Sequence, residues 1–369
     1  MTAIAAPDLP RLTLLLGAGG VGKTTLSAAL GLAHARAGRS AALRSVAPAR
    51  RLRSALGLAE VSEQGTRVAL AGAAGTLDAA LLEPRARLRR WVAEASPGAA
   101  RGELAANPYF VALADRLAGL ADAIGCVRAV EWAERDPALA ELVLDTAPGL
   151  SAVELLARPD KLMAFFDGRL MRWLVRLARL GPARRGGRLL AGLADVSGTR
   201  TLRDVGELLS AIELAAGDMV ARLERVRHWL RCAATSLVVV CGVSDDAADV
   251  AAALDRAVRD LGFAPSLFVL NRALVTPPGW TPLVASDAPA PAHAFARYVR
   301  SYLRTQDRVR ARLDAGQVRV IDVPDCALDG PSRLDALAAL GEPLREALDA
   351  CLGARAASAV RRRRPSRAA

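Results

Sequence analysis

The run G-A-G-G-V-G-K-T-T, from Gly17 to Thr25, sets four glycines ahead of a lysine and two threonines. Gly17, Gly19, Gly20 and Gly22, with Val21 between them, let a backbone curl until successive N–H groups point at one phosphate. An alanine-rich helix beginning near Lys23 adds its positive N-terminal end to that cradle. Lys23 is expected to reach the β and γ oxygens of a nucleoside triphosphate, and the Thr24 hydroxyl, followed by Thr25, to ligate Mg²⁺. The bland alternative is a glycine-rich turn with no ligand. Against it, Lys23 is one of only two lysines in the chain, and it falls where the chemistry demands one. A second signal is D-T-A-P, Asp145 to Pro148, after an apolar run. A carboxylate at the carboxyl end of a buried parallel strand can hold Mg²⁺ through a water beside the phosphates, or it can merely cap the next helix.

These residues need a scaffold, and the pattern around them predicts one. Arg11 to Leu16 is a continuous apolar run leading straight into the glycines, the mark of a buried parallel strand. Further strands are expected at Ala41 to Val46, Thr76 to Leu82, Leu139 to Leu144, Ser236 to Cys241, Ser266 to Leu270 and Val318 to Val323. The spacers are long enough for crossover helices, which predicts an α/β fold with a mostly parallel sheet covered on both faces. Residues 84–136 and 153–232 have helical periodicity without a convincing strand and read as a helical subdomain inserted into the α/β core of 1–83, 137–152 and 233–352. Five prolines between Pro277 and Pro291 predict a long surface loop. Residues 353–369 carry six arginines and no acid and read as a disordered, solvated tail.

Composition narrows the function classes. The chain has 369 residues, 52% of them hydrophobic and 24% charged, enough for a full core and incompatible with intrinsic disorder. Its longest uncharged stretches fall short of the roughly 20 residues that span a bilayer, and its N-terminus does not read as a secretory signal. The expected location is cytoplasmic. The net charge of +12 is inflated by the tail, and nearly all basic positions are arginine, so a nucleic-acid partner is not expected. The five cysteines are scattered with no C-x-x-C, so zinc is not expected, and His34, His228 and His293 adjoin no plausible nucleophile or ligand pair.

Taken together, three segments resemble the ArsA-like ATPases, the family of the arsenical-pump ATPase and of the guided-entry ATPase for tail-anchored membrane proteins. They are Gly17 to Thr25, S-V-A-P-A-R-R-L from Ser45 to Leu52, and D-T-A-P-G-L-S-A-V-E-L-L from Asp145 to Leu156. The similarity extends to Asn107-Pro108-Tyr109, the run from Phe166 to Leu174, Asn271-Arg272, and Val323-Pro324. It implies a P-loop NTPase fold of the deviant Walker A class, ATP and Mg²⁺ as ligands, Lys23 and Asp145 in the catalytic site, adenine contacts from Asn271 and the segment Pro324 to Cys326, and a nucleotide-dependent dimer.

This chain departs from the family pattern at several points. The second P-loop residue, a lysine that reaches the partner's phosphates, is Ala18; the first-switch aspartate that orients water corresponds to Ala47; and the second-switch T-G-H has become Gly149-Leu150-Ser151. Groups that bind nucleotide remain, while two groups specific to hydrolysis are missing, so slow or impaired hydrolysis is expected. The missing C-x-x-C points to the family's bacterial branch. From Lys161 to Leu180 the pattern is a basic amphipathic helix, read either as packing against its neighbours or as one wall of a groove for an apolar client. Met163, Met171 and Met219 could make such a groove adaptable. Two functions remain open: a weakly hydrolysing dimeric ATPase in membrane-protein targeting or anion and metalloid transport, and a non-catalytic subunit, heterodimeric with an active paralogue. A DNA-partitioning ATPase is a third reading, weakened by the helical insertions and by Ala18.

Overall fold

The computed structural model describes residues 10–46, 49–82, 118–166, 219–277, 280, 282–283, 285, 289–316, 318–326 and 332–363. Its centre is β1 (Arg11–Gly17), whose residues after Arg11 are all buried, as a run of leucines between two neighbouring strands must be. In chain order there follow α1 (Lys23–Arg36), β2 (Ser40–Ser45), α2 (Ala49–Leu56), β3 (Thr66–Val68), β4 (Thr76–Leu81), α3 (Ala118–Arg135), β5 (Leu139–Asp145) and α4 (Ser151–Phe166). The chain continues through a helical stretch at 219–231 (α5), β6 (Thr235–Gly242), α6 (Asp245–Asp260), β7 (Leu267–Ala273), α7 (Ala290–Asp314), β8 (Val320–Pro324) and α8 (Arg333–Arg363).

The strands form one eight-stranded sheet in the order β3-β4-β2-β5-β1-β6-β7-β8. Every pair is parallel except β3 with β4. After β1 the chain builds outward on one side through β2 and β4, returns to β5, then crosses β1 to lay down β6, β7 and β8. This reversal opens a crevice at the carboxyl ends of the central strands, where such sheets bind ligands. All seven expected strands are present within three residues of their expected ends, the largest difference being β7, which runs on to Ala273. The fold is the expected α/β arrangement of a P-loop NTPase, a mostly parallel sheet with helices.

By its internal contacts the chain divides into two units, one of Met1–Leu81, Ala133–Val153 and Arg231–Ala369, the other of Leu82–Trp132 and Glu154–Leu230. In the first, α1 lies along α8, and the approach is so close that a methyl at Gly341 would collide with the Ala29 carbonyl. In the second, Glu131 accepts from Arg128 at 3.0 Å and from Arg222 at 2.7 Å, and Met163, Met219, Leu223 and Trp229 are buried.

Three observations differ from the sequence reading. The short antiparallel β3 was not foreseen; three residues carry too little periodicity to register. Residues 353–363, expected to open a disordered tail, continue α8, because alanine and arginine are both strong helix formers. Pro291 lies in the first turn of α7 rather than in the loop, where its missing N–H costs no bond. Ala47, Asn107-Pro108-Tyr109, Met171 and the amphipathic run beyond Phe166 lie outside the described residues.

Candidate functional site

The glycine loop connects the end of β1 to the start of α1, so its geometry is set by the two central elements of the sheet. Gly17 can only be glycine, since a methyl there would strike the carbonyl of Val240 on the neighbouring β6. Gly22 is the N-cap of α1 in a left-handed conformation, φ 95°, with no side chain covering the first turn, and that turn contains no acid. Its N–H groups and the helix dipole are left for an anion. Gly20 is also left-handed, φ 80°, and with Gly19 it is exposed at the tip of the loop.

Lys23 is buried, and its Nζ donates to the carbonyls of Gly17 at 2.9 Å and Ala18 at 2.8 Å, which arches the ammonium back over the loop. Burial holds its pKa below the ordinary lysine value, opposed by the nearby Asp145 carboxylate and reinforced by Arg51. Asp145 ends β5, directly beside β1 in register with Leu15. Its Oδ2 accepts from Thr24 Oγ1 and from Ser45 Oγ, both at 2.7 Å, while its Oδ1 is buried with no hydrogen-bond partner. Burial pushes the Asp145 carboxyl above the usual carboxylate range, against the pull of those two hydroxyls and of Lys23 and Arg51. Thr25 is half-buried in the first turn of α1.

Three connecting residues lock this centre. The Thr146 hydroxyl donates to Leu15 O at 2.6 Å, the Gly149 N–H to Gly17 O at 2.9 Å, and the Val46 N–H to Asp145 O at 3.0 Å. Gly149 is left-handed, φ 65°, which turns the segment after Asp145 back onto the glycine loop. The sequence reading gave none of the bonds made by Ser45, Thr146 and Gly149. All three sit inside the segments that resemble the family, yet nothing in their spacing tells which atom they bond.

Asn271 comes from the far side of β1, at the end of β7, paired with Val323 of β8. Its Nδ2 donates to Val21 O at 2.8 Å, in a contact so close that a methyl on Gly22 would collide with the amide. Arg272, next in the chain, holds a left-handed φ of 62° that few non-glycine residues adopt. Pro324 closes β8, and Asp325 N–H donates to Ala273 O at 3.2 Å, so the two strand ends run together. The structure therefore gathers Lys23, Thr24 and Asp145 tightly, joins Asn271 to the glycine loop through Val21, and carries Pro324 on the strand beside Asn271.

The donor set fits Mg²⁺ as a P-loop protein binds it. Thr24 and Asp145 supply one hydroxyl and one partly unsatisfied carboxylate, and no group of three or more His, Cys, Asp or Glu ligands exists among the described residues. Such a centre leaves the remaining coordination to phosphate oxygens and water. No helix among the described residues is long and apolar enough to cross a membrane.

No curated protein matches the chain in comparison. A family model of anion-transporting ATPases, the ArsA ATPases, matches residues 10–215. That match contains the glycine loop, Ser45 and Asp145, and covers more than half of the sequence. The chain belongs to the ArsA family of anion-transporting ATPases, whose activity is ATP hydrolysis.

Proposed function

We propose that this chain binds Mg·ATP in the Gly17–Thr25 loop and hydrolyses it slowly, working as a nucleotide-dependent dimer in membrane-protein targeting or in anion and metalloid transport. The observation that carries the binding half is the buried Lys23–Thr24–Asp145 centre, with its unsatisfied Asp145 Oδ1 at the uncapped start of α1. Gly17, Gly19, Gly20, Val21 and Gly22 give backbone N–H groups to the phosphates; Lys23 adds charge at the β and γ oxygens. Thr24, Thr25 and Asp145 serve the metal side, Asp145 through a water. Bound Mg²⁺ supplies charge neutralisation on the phosphate oxygens. Asn271 and Pro324 lie at the ends of β7 and β8 and take the base.

Slow hydrolysis follows from the groups that are missing. Ala18 presents only a methyl on a half-buried stretch, and Ala47 stands where the family has a water-orienting carboxylate. Preorganised positive charge and an oriented water are each worth orders of magnitude in phosphoryl transfer. Ala18 also favours a second reading, a subunit paired with an active paralogue, because a residue that serves the opposite site in a dimer can be lost from a non-catalytic member.

Lys23→Ala is expected to abolish binding of a fluorescent ATP analogue to the purified chain. Unchanged affinity in that variant would remove the site assignment.

A further inference from the structure

Every residue of β7 is buried except Arg272. The exception comes from a bulge: Asn271 pairs with Val323 and Ala273 with Pro324, so Arg272 is one residue more than β8 can match. Its left-handed φ of 62° is disfavoured for a residue with a Cβ, and such a conformation persists only where the surroundings impose it. Helix α7 does so. Tyr302 Oη donates to Arg272 O at 2.7 Å. One turn on, Gln306 Oε1 accepts from the Leu274 N–H at 2.7 Å and its Nε2 donates to Leu274 O at 3.1 Å, which clamps the chain just past the bulge. The bulge does not serve to end the sheet, because pairing resumes at Ala273 and the Asp325 N–H still donates to Ala273 O at 3.2 Å. Its effect is to bring one arginine out of a buried strand. That guanidinium makes no hydrogen bond or ion pair among the described residues, whereas Arg308, Arg310 and Arg312 of α7 each hold an aspartate.

The residue before the bulge is Asn271, whose Nδ2 is spent on Val21 O of the glycine loop at 2.8 Å. What Asn271 has left for a base is its amide oxygen, an acceptor that meets a ring only at its edge. A ring face needs a flat partner. We infer that Arg272 stacks its guanidinium on the base of the bound nucleotide, beside the edge contact of Asn271. A planar, delocalised cation suits that task, since it lies flat on an aromatic ring and stays charged at any working pH. Tyr302 acts as a positioning residue, fixing through the Arg272 carbonyl the backbone from which the side chain leaves. The inference rests on the proposed nucleotide site, with the base at the ends of β7 and β8, and adds to it the residue that covers the ring.

The test is calorimetric titration of the full chain with the magnesium complexes of a non-hydrolysable ATP analogue and of tripolyphosphate, which carries the phosphates without a base. Arg272→Gly and Arg272→Asn both remove the guanidinium while admitting a left-handed backbone. Each is expected to weaken the ATP analogue by about tenfold, within the range of one base stack. Tripolyphosphate should stay within about twofold of the parent, on the same scale, and its binding also reports that the variant is folded. Tyr302→Phe, which frees the Arg272 carbonyl, should weaken the analogue by about threefold and spare tripolyphosphate, the size of one modest hydrogen bond. Unchanged affinity there would remove the positioning role of Tyr302. If either Arg272 variant leaves the analogue unchanged, or weakens both ligands alike, the assignment of Arg272 is wrong. Lys23→Ala separates the two readings. Surviving affinity for both ligands in that variant overturns the site itself, whereas their loss together with an unchanged or undiscriminating Arg272→Gly overturns only the role of Arg272.

Discussion

Glu141 and His34 form a second buried polar centre, at the opposite end of β5 and α1 from the nucleotide loop. Glu141 Oε1 accepts from the Thr13 hydroxyl at 2.6 Å, and its Oε2 lies 3.6 Å from His34 Nε2, too far for a hydrogen bond. Burial pushes the Glu141 carboxyl up to about 7 and the His34 imidazole down to about 3, so near neutrality the contact is not an ion pair. Arg11, Arg39 and Asp349 bear on both groups and Arg345 on His34, with Arg39 gripping Asp349 through two bonds of 3.0 Å. The signs follow from linkage. Glu141 binds its proton more tightly folded than unfolded, so its contribution is complete below the ordinary value of 4.5 and lost as pH rises through about 7. His34 does the reverse, its contribution complete above 6.5 and lost as pH falls toward about 3. Between 4.5 and 6.5 the two oppose each other. Glu141→Gln removes the first effect alone. Its stability relative to the parent should therefore rise between about pH 5 and pH 8, measured by urea denaturation at both. A constant difference across that range would mean that Glu141 keeps an ordinary pKa. None of this was legible in the sequence, where Glu141 reads as one acid in an apolar strand and His34 as an isolated histidine.

Among the elements, α1 carries two duties, presenting Lys23 and Thr24 at one end and packing against α8 along its length. The contact depends on Gly341, where a side chain would meet the Ala29 carbonyl and Leu30 nitrogen of α1. Flanking ion pairs fix the register of the two helices: Arg36 with Glu342 at 3.1 Å and with Asp335 at 3.0 Å. Such half-exposed pairs stabilise weakly, so the close backbone approach decides the packing. Gly341→Ala should then destabilise the protein by about 1–3 kcal/mol, as overpacking does, despite the better helix propensity of alanine. Denaturant unfolding reads this directly, and a gain in stability would show that α8 can shift away from α1. The sequence reading named no helix over 333–352 and expected a disordered tail after it, so neither α8 nor its partner was anticipated. A glycine inside a helical pattern announces close approach without naming what approaches.

At the scale of the whole molecule the two missing groups act at different places. In a family-like dimer the lysine replaced by Ala18 serves the opposite site, and the aspartate replaced by Ala47 serves its own. A homodimer would lack both at both sites, so the isolated chain should turn over ATP well below about 1 per second, the lower end of ordinary enzyme rates. A steady-state phosphate-release assay measures this, and a faster rate would mean that other residues supply the charge and orient the water. With an intact paralogue as partner, Ala18→Lys should accelerate the partner's site and Ala47→Asp this chain's own. Mixed dimers with one site blocked by a P-loop substitution separate the two. Acceleration by Ala18→Lys only at this chain's own site would exclude the crossed geometry.

The sequence by itself determined the family, the alternation of strands and helices, and the positions of Lys23, Thr24 and Asp145. Each of these depends on local order: a loop between a strand and a helix needs glycines at fixed intervals, and a buried parallel strand needs an unbroken apolar run. Only the tertiary structure decided which distant residues complete the centre. Ser45 reaches Asp145 across 100 positions of chain and Asn271 reaches Val21 across 250 because β2, β5, β1, β6 and β7 stand in that spatial order, which differs from their order in the sequence. The burial that raises the Asp145 pKa and lowers that of Lys23 comes by the same route. Desolvation and through-space charge depend on what surrounds an atom, and the chain that surrounds these atoms is remote from them in sequence.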